Sequence, residues 1–160
     1  MEENYIKRIR SFVGNEYIMV NATAVVIVND SGEVLLEKRS DNNLWGLPGG
    51  LMELSETIKE AAIREVKEET NLDVCLTRFI GVFSNPFMRW KELDYAKVFT
   101  FAFTAKVFGG ELKINDHESL EMKYFAYEEL PPLHSIDTIE IIEQYYNFNK
   151  IMIEGEIYDG

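Results

Sequence analysis

Three glutamates near the end of one predicted helix have the residue type and spacing of a metal site. Glu65, Glu68 and Glu69 lie in the segment REVKEET. At about 100° per residue, two of them share a helix side with the apolar residues Ile58 and Ala62, which should pack on a sheet. Burying an unpaired carboxylate is costly, but carboxylates at i, i+3 and i+4 have Cβ atoms only ~5–6 Å apart and could share a hard cation such as Mg²⁺. The spacing therefore predicts metal-dependent chemistry.

A solvated helix end is the alternative explanation, because Lys59, Arg64 and Lys67 could pair with these carboxylates. The residues around the helix favour the metal site. The chain resembles the Nudix box, G-x5-E-x7-R-E-U-x-E-E-x-G-U with U aliphatic, and the segment LWGLPGG resembles the lead-in of that family. Eight positions carry the resemblance: Gly50, Glu56, Arg64, Glu65, Val66, Glu68, Glu69 and Leu72.

One position departs from the box, since Asn71 stands where the pattern has Gly. The residue after the helix should adopt the left-handed αL conformation. Asn is the residue that tolerates αL best after Gly. The departure should therefore leave the site intact.

The resemblance implies a fold, an activity and a set of site residues. The fold would be of the α/β class, an α/β/α sandwich with a mixed β-sheet between helices. The activity would be Mg²⁺-dependent hydrolysis of a nucleoside diphosphate linked to another moiety, with Mn²⁺ as an alternative ion. By the resemblance, the metal ligands are Glu65, Glu68, Glu69 and the backbone carbonyl of Gly49, and the catalytic set also includes the supporting residues Glu56 and Arg64.

The general base that activates water remains open between two regions. Glu65 is one candidate, provided that metal does not occupy it fully. The loop NDHESLE supplies the others, Asp116, Glu118 and Glu121, and among these we favour Glu118. An ordinary acidic turn is an equally good explanation for any one of them.

Three residues are candidates for contact with substrate. Arg39, at the end of a predicted strand, could face a phosphate, although a surface role explains it equally well. Phe87 and Trp90, in FSNPFMRW, could stack on a nucleobase, with a core or dimer-interface role as the alternative. His117 and His134 lack a zinc-ligand pattern and are expected at the surface.

The predicted elements alternate between strands and helices. Residues 16–30 and 33–40 are predicted to form a hairpin around the turn at 29–32. A helix is predicted for residues 55–70, with Ser55 as its N-cap. The remaining predictions are strands at 72–83, 95–108 and 120–127, a break at the glycine pair 109–110, and a helix at 137–147. This order favours a mixed sheet between helices.

Length, charge and cysteine content limit the number of domains, the classes of ligand and the cellular location that we expect. The 160 residues suit one domain, predicted over residues 1–150, with 1–16 as an N-terminal extension and 151–160 as a mobile acidic tail. A net charge of −12 disfavours nucleic-acid binding, and no apolar run approaches the length of a membrane helix. Cys75 is the only cysteine, which favours a reducing, cytoplasmic location. The resemblance makes a homodimer plausible.

The function predicted is hydrolysis of a nucleoside triphosphate, ADP-ribose or a nucleotide sugar by attack of water on phosphorus. A catalytically silent Nudix domain that binds a nucleotide as a sensor is the alternative. An acidic structural domain without a ligand is a third hypothesis, but it leaves the glutamates on the packing face unexplained.

Overall fold

The computed structural model describes residues 5–89, 95–115, 117–147, 151–153 and 156–158, with residues 85–89 and those after 150 described by backbone alone. Within these residues, three α-helices and a 3-10 turn at Tyr127–Glu129 accompany eight strands. The helices are α1 (Tyr5–Val13), α2 (Ile58–Thr70) and α3 (Ile136–Asn147). The strands are β1 (Ile18–Ile27), β2 (Val34–Arg39), β3 (Trp45–Gly46), β4 (Leu72–Arg89), β5 (Tyr95–Gly110), β6 (Ser119–Phe125), β7 (Ile151–Ile153) and β8 (Glu156–Tyr158).

The strands form two sheets. A five-stranded mixed sheet has the order β1-β5-β4-β7-β8, with β1 parallel to β5 and β4 antiparallel to it. A three-stranded antiparallel sheet has the order β3-β2-β6. The predicted α/β class with a mixed sheet between helices is confirmed.

The predicted hairpin between β1 and β2 is wrong. The turn is present, with the Gly32 amide donating to the Asn29 carbonyl at 2.9 Å. Beyond it, one isolated bridge, Val28 to Val34, joins the two segments in the described part of the chain. Residues 34–36 of β2 are all fully buried, so this strand is covered on both faces and enters the second sheet instead of continuing the first.

Helices α2 and α3 pack on opposite faces of β1, because successive strand side chains point to opposite faces. On the α2 side, Val25 and Ile27 share a core cluster with Ala62 and Val66. On the α3 side, the alternate residues of β1 share a cluster with that helix: Ala24, Val26, Ile141 and Ile142. This alternation gives the layers of the sandwich.

Helix α2 begins three residues later than predicted. Its N-cap is Thr57 rather than Ser55, because the Thr57 hydroxyl accepts from the Glu60 amide while the Glu60 carboxylate accepts from the Thr57 amide at 2.8 Å. At the other end, Asn71 has φ 60° and ψ 10°, and this αL conformation is the one predicted for it.

Other boundaries also differ from prediction. Strand β5 continues through the glycine pair, with Gly110 at φ +80° opposite Leu72. The backbone of the predicted tail forms β7 and β8, and β7 pairs in parallel with β4 at Gly81 and Val82. Its predicted mobility and the domain limits remain predictions. In the part of the chain described here, no helix is long and apolar enough to cross a membrane.

Candidate metal and catalytic site

Arg64 lies at the centre of a cluster of carboxylates. Its Nε and Nη2 donate to the two carboxylate oxygens of Glu56 at 2.8 and 2.6 Å. Its Nη1 donates to Glu65 at 2.8 Å and to Glu68 at 3.0 Å. Nη2 also donates to the Leu51 carbonyl at 3.1 Å. One guanidinium therefore ties helix α2 to the loop before it and holds three carboxylates together.

The glycine pair before the helix allows the backbone to approach these carboxylates closely. The Gly49 amide donates to Glu69 Oε2 at 2.9 Å, and Gly49 has φ +148°. A Cβ on Gly49 would overlap the carbonyl of Thr23, and a Cβ on Gly50 would lie 2.7 Å from the carboxyl carbon of Glu65. Gly49 thus requires glycine because of its positive φ and its contact with backbone, whereas a side chain at position 50 would displace the carboxylate of Glu65.

The loop at residues 48–51, called the glycine loop below, is held along the free edge of β1. The Thr23 amide donates to the Gly50 carbonyl at 2.8 Å, and the Val25 amide donates to the Pro48 carbonyl at 2.9 Å. These bonds fix the loop against the sheet on which α2 packs. The loop and the helix therefore share one rigid support, which sets the position of Gly49 relative to the glutamates.

Burial distinguishes the three glutamates of α2. Glu69 is 7% exposed as a residue, the side chain of Glu65 is 14% exposed, and that of Glu68 is 58% exposed. The helix face predicted to carry both apolar residues and carboxylates is therefore present. An exposed helix end with surface ion pairs does not describe Glu65 and Glu69.

The pKa values in the cluster are displaced in opposite directions. Burial raises the pKa of Glu65, and the hydrogen bond from Arg64 only partly offsets this. The same arginine lowers the pKa of Glu56, and its own pKa is raised mainly by its bond to Glu56. A carboxylate whose pKa is raised binds a proton more strongly than an ordinary glutamate does, which is a property expected of a general base.

The donor set fits a hard divalent cation. Within the described residues, no three acidic, histidine or cysteine side chains are placed to hold a metal ion as they stand, and Glu65 and Glu68 are hydrogen-bonded to Arg64. The groups at hand are nevertheless carboxylate oxygens on one helix face beside a glycine backbone, which is the ligand type of Mg²⁺ and Mn²⁺.

The other predicted residues lie at the end of the second sheet. Arg39 is engaged with Asp41 through two hydrogen bonds of 3.0 and 2.8 Å. Glu118 is exposed, its carbonyl accepts from the Ser40 amide at 2.8 Å, and its charge acts on Arg39. Glu121 pairs in register with Lys38.

Three of the candidates lack a described side chain. Phe87 contributes backbone to β4, whereas Trp90 and Asp116 lie outside the described residues. Their predicted roles remain predictions.

Sequence reasoning missed buried polar groups on β2 and around the start of α3. Glu37, which follows a run of three buried residues in β2, is 4% exposed and accepts from Ser119 Oγ at 2.9 Å. Asp137, in the first turn of α3, is equally buried and accepts from Thr100 Oγ1 at 3.1 Å. His134, expected at the surface, is half-buried, and burial lowers its pKa. An acidic residue inside an apolar strand was the available signal for Glu37.

Comparisons with family models and with individual proteins indicate the same family. The NUDIX domain model matches residues 19–145. An ADP-ribose pyrophosphatase of Methanocaldococcus jannaschii is 37% identical over 127 residues, which cover 78% of this chain and 72% of that protein. The 8-oxo-dGDP phosphatase NUDT18 of Mus musculus is 36% identical over 125 residues, covering 74% of this chain and only 36% of the mouse protein.

Solved structures agree on the fold. The MutT protein of Methanosarcina mazei superposes with a TM-score of 0.67 at 24% identity, covering 81% of this chain and 95% of that one. The match to the domain over most of the chain, together with the pyrophosphatase relative, identifies the bond class as the phosphoric anhydride. This chain therefore belongs to the Nudix family and is a hydrolase of that type.

Proposed function

We propose that this chain is a Mg²⁺-dependent pyrophosphohydrolase that cleaves a nucleoside diphosphate linked to another moiety. The observation that carries the proposal is the Arg64-centred cluster, with buried Glu69 bonded to the Gly49 amide and half-buried Glu65 beside Gly50. The stability of the fold does not explain carboxylates in this position, because burying them is costly. Their use as ligands of a cation that binds a diphosphate would explain them.

The ion would be held by Glu65, Glu68 and Glu69 together with the carbonyl of Gly49. When bound, it supplies neutralisation of phosphate charge and a water of lowered pKa. Mn²⁺ has similar ligand preferences and would substitute. The exposed carboxylate of Glu68 is the ligand most accessible to solvent.

The protein's own residues would orient the reacting groups. Arg64 fixes Glu56, Glu65 and Glu68, which is a positioning role. Glu65 would accept the proton of the attacking water, provided that the ion leaves one of its carboxylate oxygens free, and Glu118 is the second candidate base.

Contacts with the substrate are proposed at three further residues. Arg39 would contact a substrate phosphate, exchanging part of its pairing with Asp41. Phe87 and Trp90 remain candidates for stacking on a nucleobase.

The substrate class is a small nucleotide carrying a diphosphate. The names of the relatives point to ADP-ribose and to oxidised guanine nucleotides as the first compounds to examine. Nucleoside triphosphates and nucleotide sugars complete the set. The exposed free Cys75 is compatible with a reducing, cytoplasmic location.

The test is a substrate screen of the purified chain with Mg²⁺ or Mn²⁺, followed by separation and identification of the products. We expect selective cleavage of one compound class that EDTA abolishes. Reaction in isotopically labelled water would identify the phosphorus that receives the oxygen. Tight nucleotide binding without turnover of any compound would favour the sensor alternative instead.

A further inference from the structure

An open cavity of about 600 Å³ lies away from the glutamate cluster. It is lined by the end of β1 and the turn that follows, by facing parts of β4 and β5, and by the last turn of α3. A volume of this size is in the range of sites that hold nucleotide-sized molecules. No lining residue belongs to the glycine loop or to α2.

The cavity opens on the α3 side of the five-stranded sheet. Val26, which lines it, belongs to the core cluster that contains Ile141 and Ile142 of α3. Helix α2 packs instead on the residues of β1 that point to the other face, such as Val25. A molecule in the cavity would therefore be separated from Glu65 and its neighbours by the sheet.

One wall of the cavity consists of ordered aromatic rings. Tyr145 and Tyr146 contact each other edge to face, with centroids 4.9 Å apart and an interplanar angle of 88°. Tyr146 also stacks against Tyr127 at 4.8 Å, and its hydroxyl donates to the Gly32 carbonyl at 2.6 Å. These contacts hold the wall in place, and such a wall favours a flat ring.

The rim of the cavity formed by β4 and β5 is cationic and carries hydroxyl groups. Arg78 is half-buried and Lys106 is exposed on the adjacent strand. Thr77 and Thr104 lie beside them, with their hydroxyls 2.7 Å apart. None of the described lining residues is acidic, although the whole chain carries a net charge of −12. The rim is therefore suited to an anion, and guanidinium and ammonium groups bind phosphate well.

We propose that this cavity is a second ligand site, distinct from the hydrolytic site, for a nucleoside monophosphate-sized anion with a flat ring. The ring would lie against Tyr145 and Tyr146, and the phosphate would lie between Arg78 and Lys106. Binding at this site requires no metal, because the positive charge comes from side chains.

The experiment is a titration of the isotope-labelled full chain with AMP in EDTA, followed by backbone amide NMR. Inorganic phosphate and adenosine are titrated separately as the two halves of the probe. We expect shifts at residues 77–78, 104–106 and 145–147, with binding of either half at least about tenfold weaker than that of AMP. The variant pair Arg78→Gln with Lys106→Gln should weaken AMP binding about tenfold or more.

A matched control removes the same charges elsewhere. Arg8 and Lys59 are exposed and lie outside the cavity, so Arg8→Gln with Lys59→Gln should bind AMP as the parent does. Lys106→Glu alone serves as a second test, since this side chain is exposed and its replacement should leave the amide spectrum well dispersed.

Three outcomes would overturn the proposal. One is the absence of shifts with AMP. Another is a set of shifts confined to the glycine loop and α2, which would place all binding at the hydrolytic site. The third is cavity binding that the Arg78 and Lys106 substitutions leave unchanged.

Discussion

Arg64 contacts Glu56, Glu65 and Glu68 simultaneously, and this arrangement determines the electrostatics of the site. The arginine lowers the pKa of Glu56, while burial raises that of Glu65. The presence of glutamates on the packing face could be predicted from spacing alone. The partners of Arg64 could not be predicted from the sequence. Glu60 and Glu68 both lie one helical turn from Arg64, and Glu56 comes within reach only because of the conformation of the loop before α2.

Replacing Arg64 by lysine tests the positioning role. Lysine keeps the charge but lacks the planar fork that binds Glu56 through two nitrogens. We expect kcat to fall about 10–100-fold, the usual range for groups that orient metal ligands, with little change in unfolding by urea. Arg8→Lys, on the exposed side of α1, is the matched control. Hydrolysis by Arg64→Lys at the parent's rate would contradict the role.

His134 should make stability depend on pH. Burial depresses its pKa in the folded state, so the unfolded chain binds more protons between that pKa and the ordinary value. Stability is therefore present above the unfolded pKa of about 6.5 and is lost as the pH falls below it. Urea unfolding at neutral and mildly acidic pH should show a smaller loss for His134→Gln than for the parent. Equal losses in the two proteins would contradict the assignment, and His117→Gln, at an exposed position, should behave as the parent.

At the scale of elements, the start of α2 shows why the sequence analysis assigned the wrong N-cap residue. Ser55 and Thr57 are both good N-cap residues, and each is followed by glutamates within one turn. The capping box with Glu60 forms at Thr57, which sets the first residue of the helix at Ile58. Asn71 was predictable, because few residues other than glycine tolerate the conformation that ends a helix in this way.

Substitution at the cap gives an element-scale prediction. Thr57→Ala should lower the free energy of unfolding by about 1 kcal/mol, because it removes the acceptor of the Glu60 amide. Thr57→Ser should retain most of the stability. Ser55→Ala is the matched control and should change stability by less than about 0.5 kcal/mol, as surface substitutions do. A larger loss for Ser55→Ala than for Thr57→Ala, measured by urea unfolding, would reverse the assignment.

At the scale of the molecule, the strands and helices of the central part of the chain were predictable, whereas the strand pairing was not. The sequence analysis also did not predict four of the elements, which are α1, β3, β7 and β8. The β1–β2 turn was correct, but a sequence pattern cannot distinguish a hairpin strand from one buried on both faces, as Val34, Leu35 and Leu36 are. Arg39 lies beside the loop that contains Glu118 because β2 pairs with β6, and these two strands are far apart in the sequence. Periodicity carries no information on such contacts.

The whole chain should fold without metal. Both sides of the sheet have extensive apolar cores, one under α2 and one under α3. Circular dichroism in EDTA should therefore match the spectrum with Mg²⁺. Added Mg²⁺ should raise the melting temperature modestly, because it binds the folded state preferentially. An unfolded spectrum in chelator would mean that the ion is required for the fold.

Metal binding by Glu69→Gln tests the central proposal most directly. The glutamine carbonyl can still accept from the Gly49 amide, so the fold should persist, while one anionic ligand is lost. Mn²⁺ titrations followed by electron paramagnetic resonance should show binding weakened about tenfold or more in Glu69→Gln, with hydrolysis of the screened substrate reduced at least about 100-fold. Glu129→Gln, which makes the same charge change at an exposed site, should match the parent. If Glu69→Gln binds Mn²⁺ and turns over substrate as the parent does, the glutamates of α2 are not the metal site.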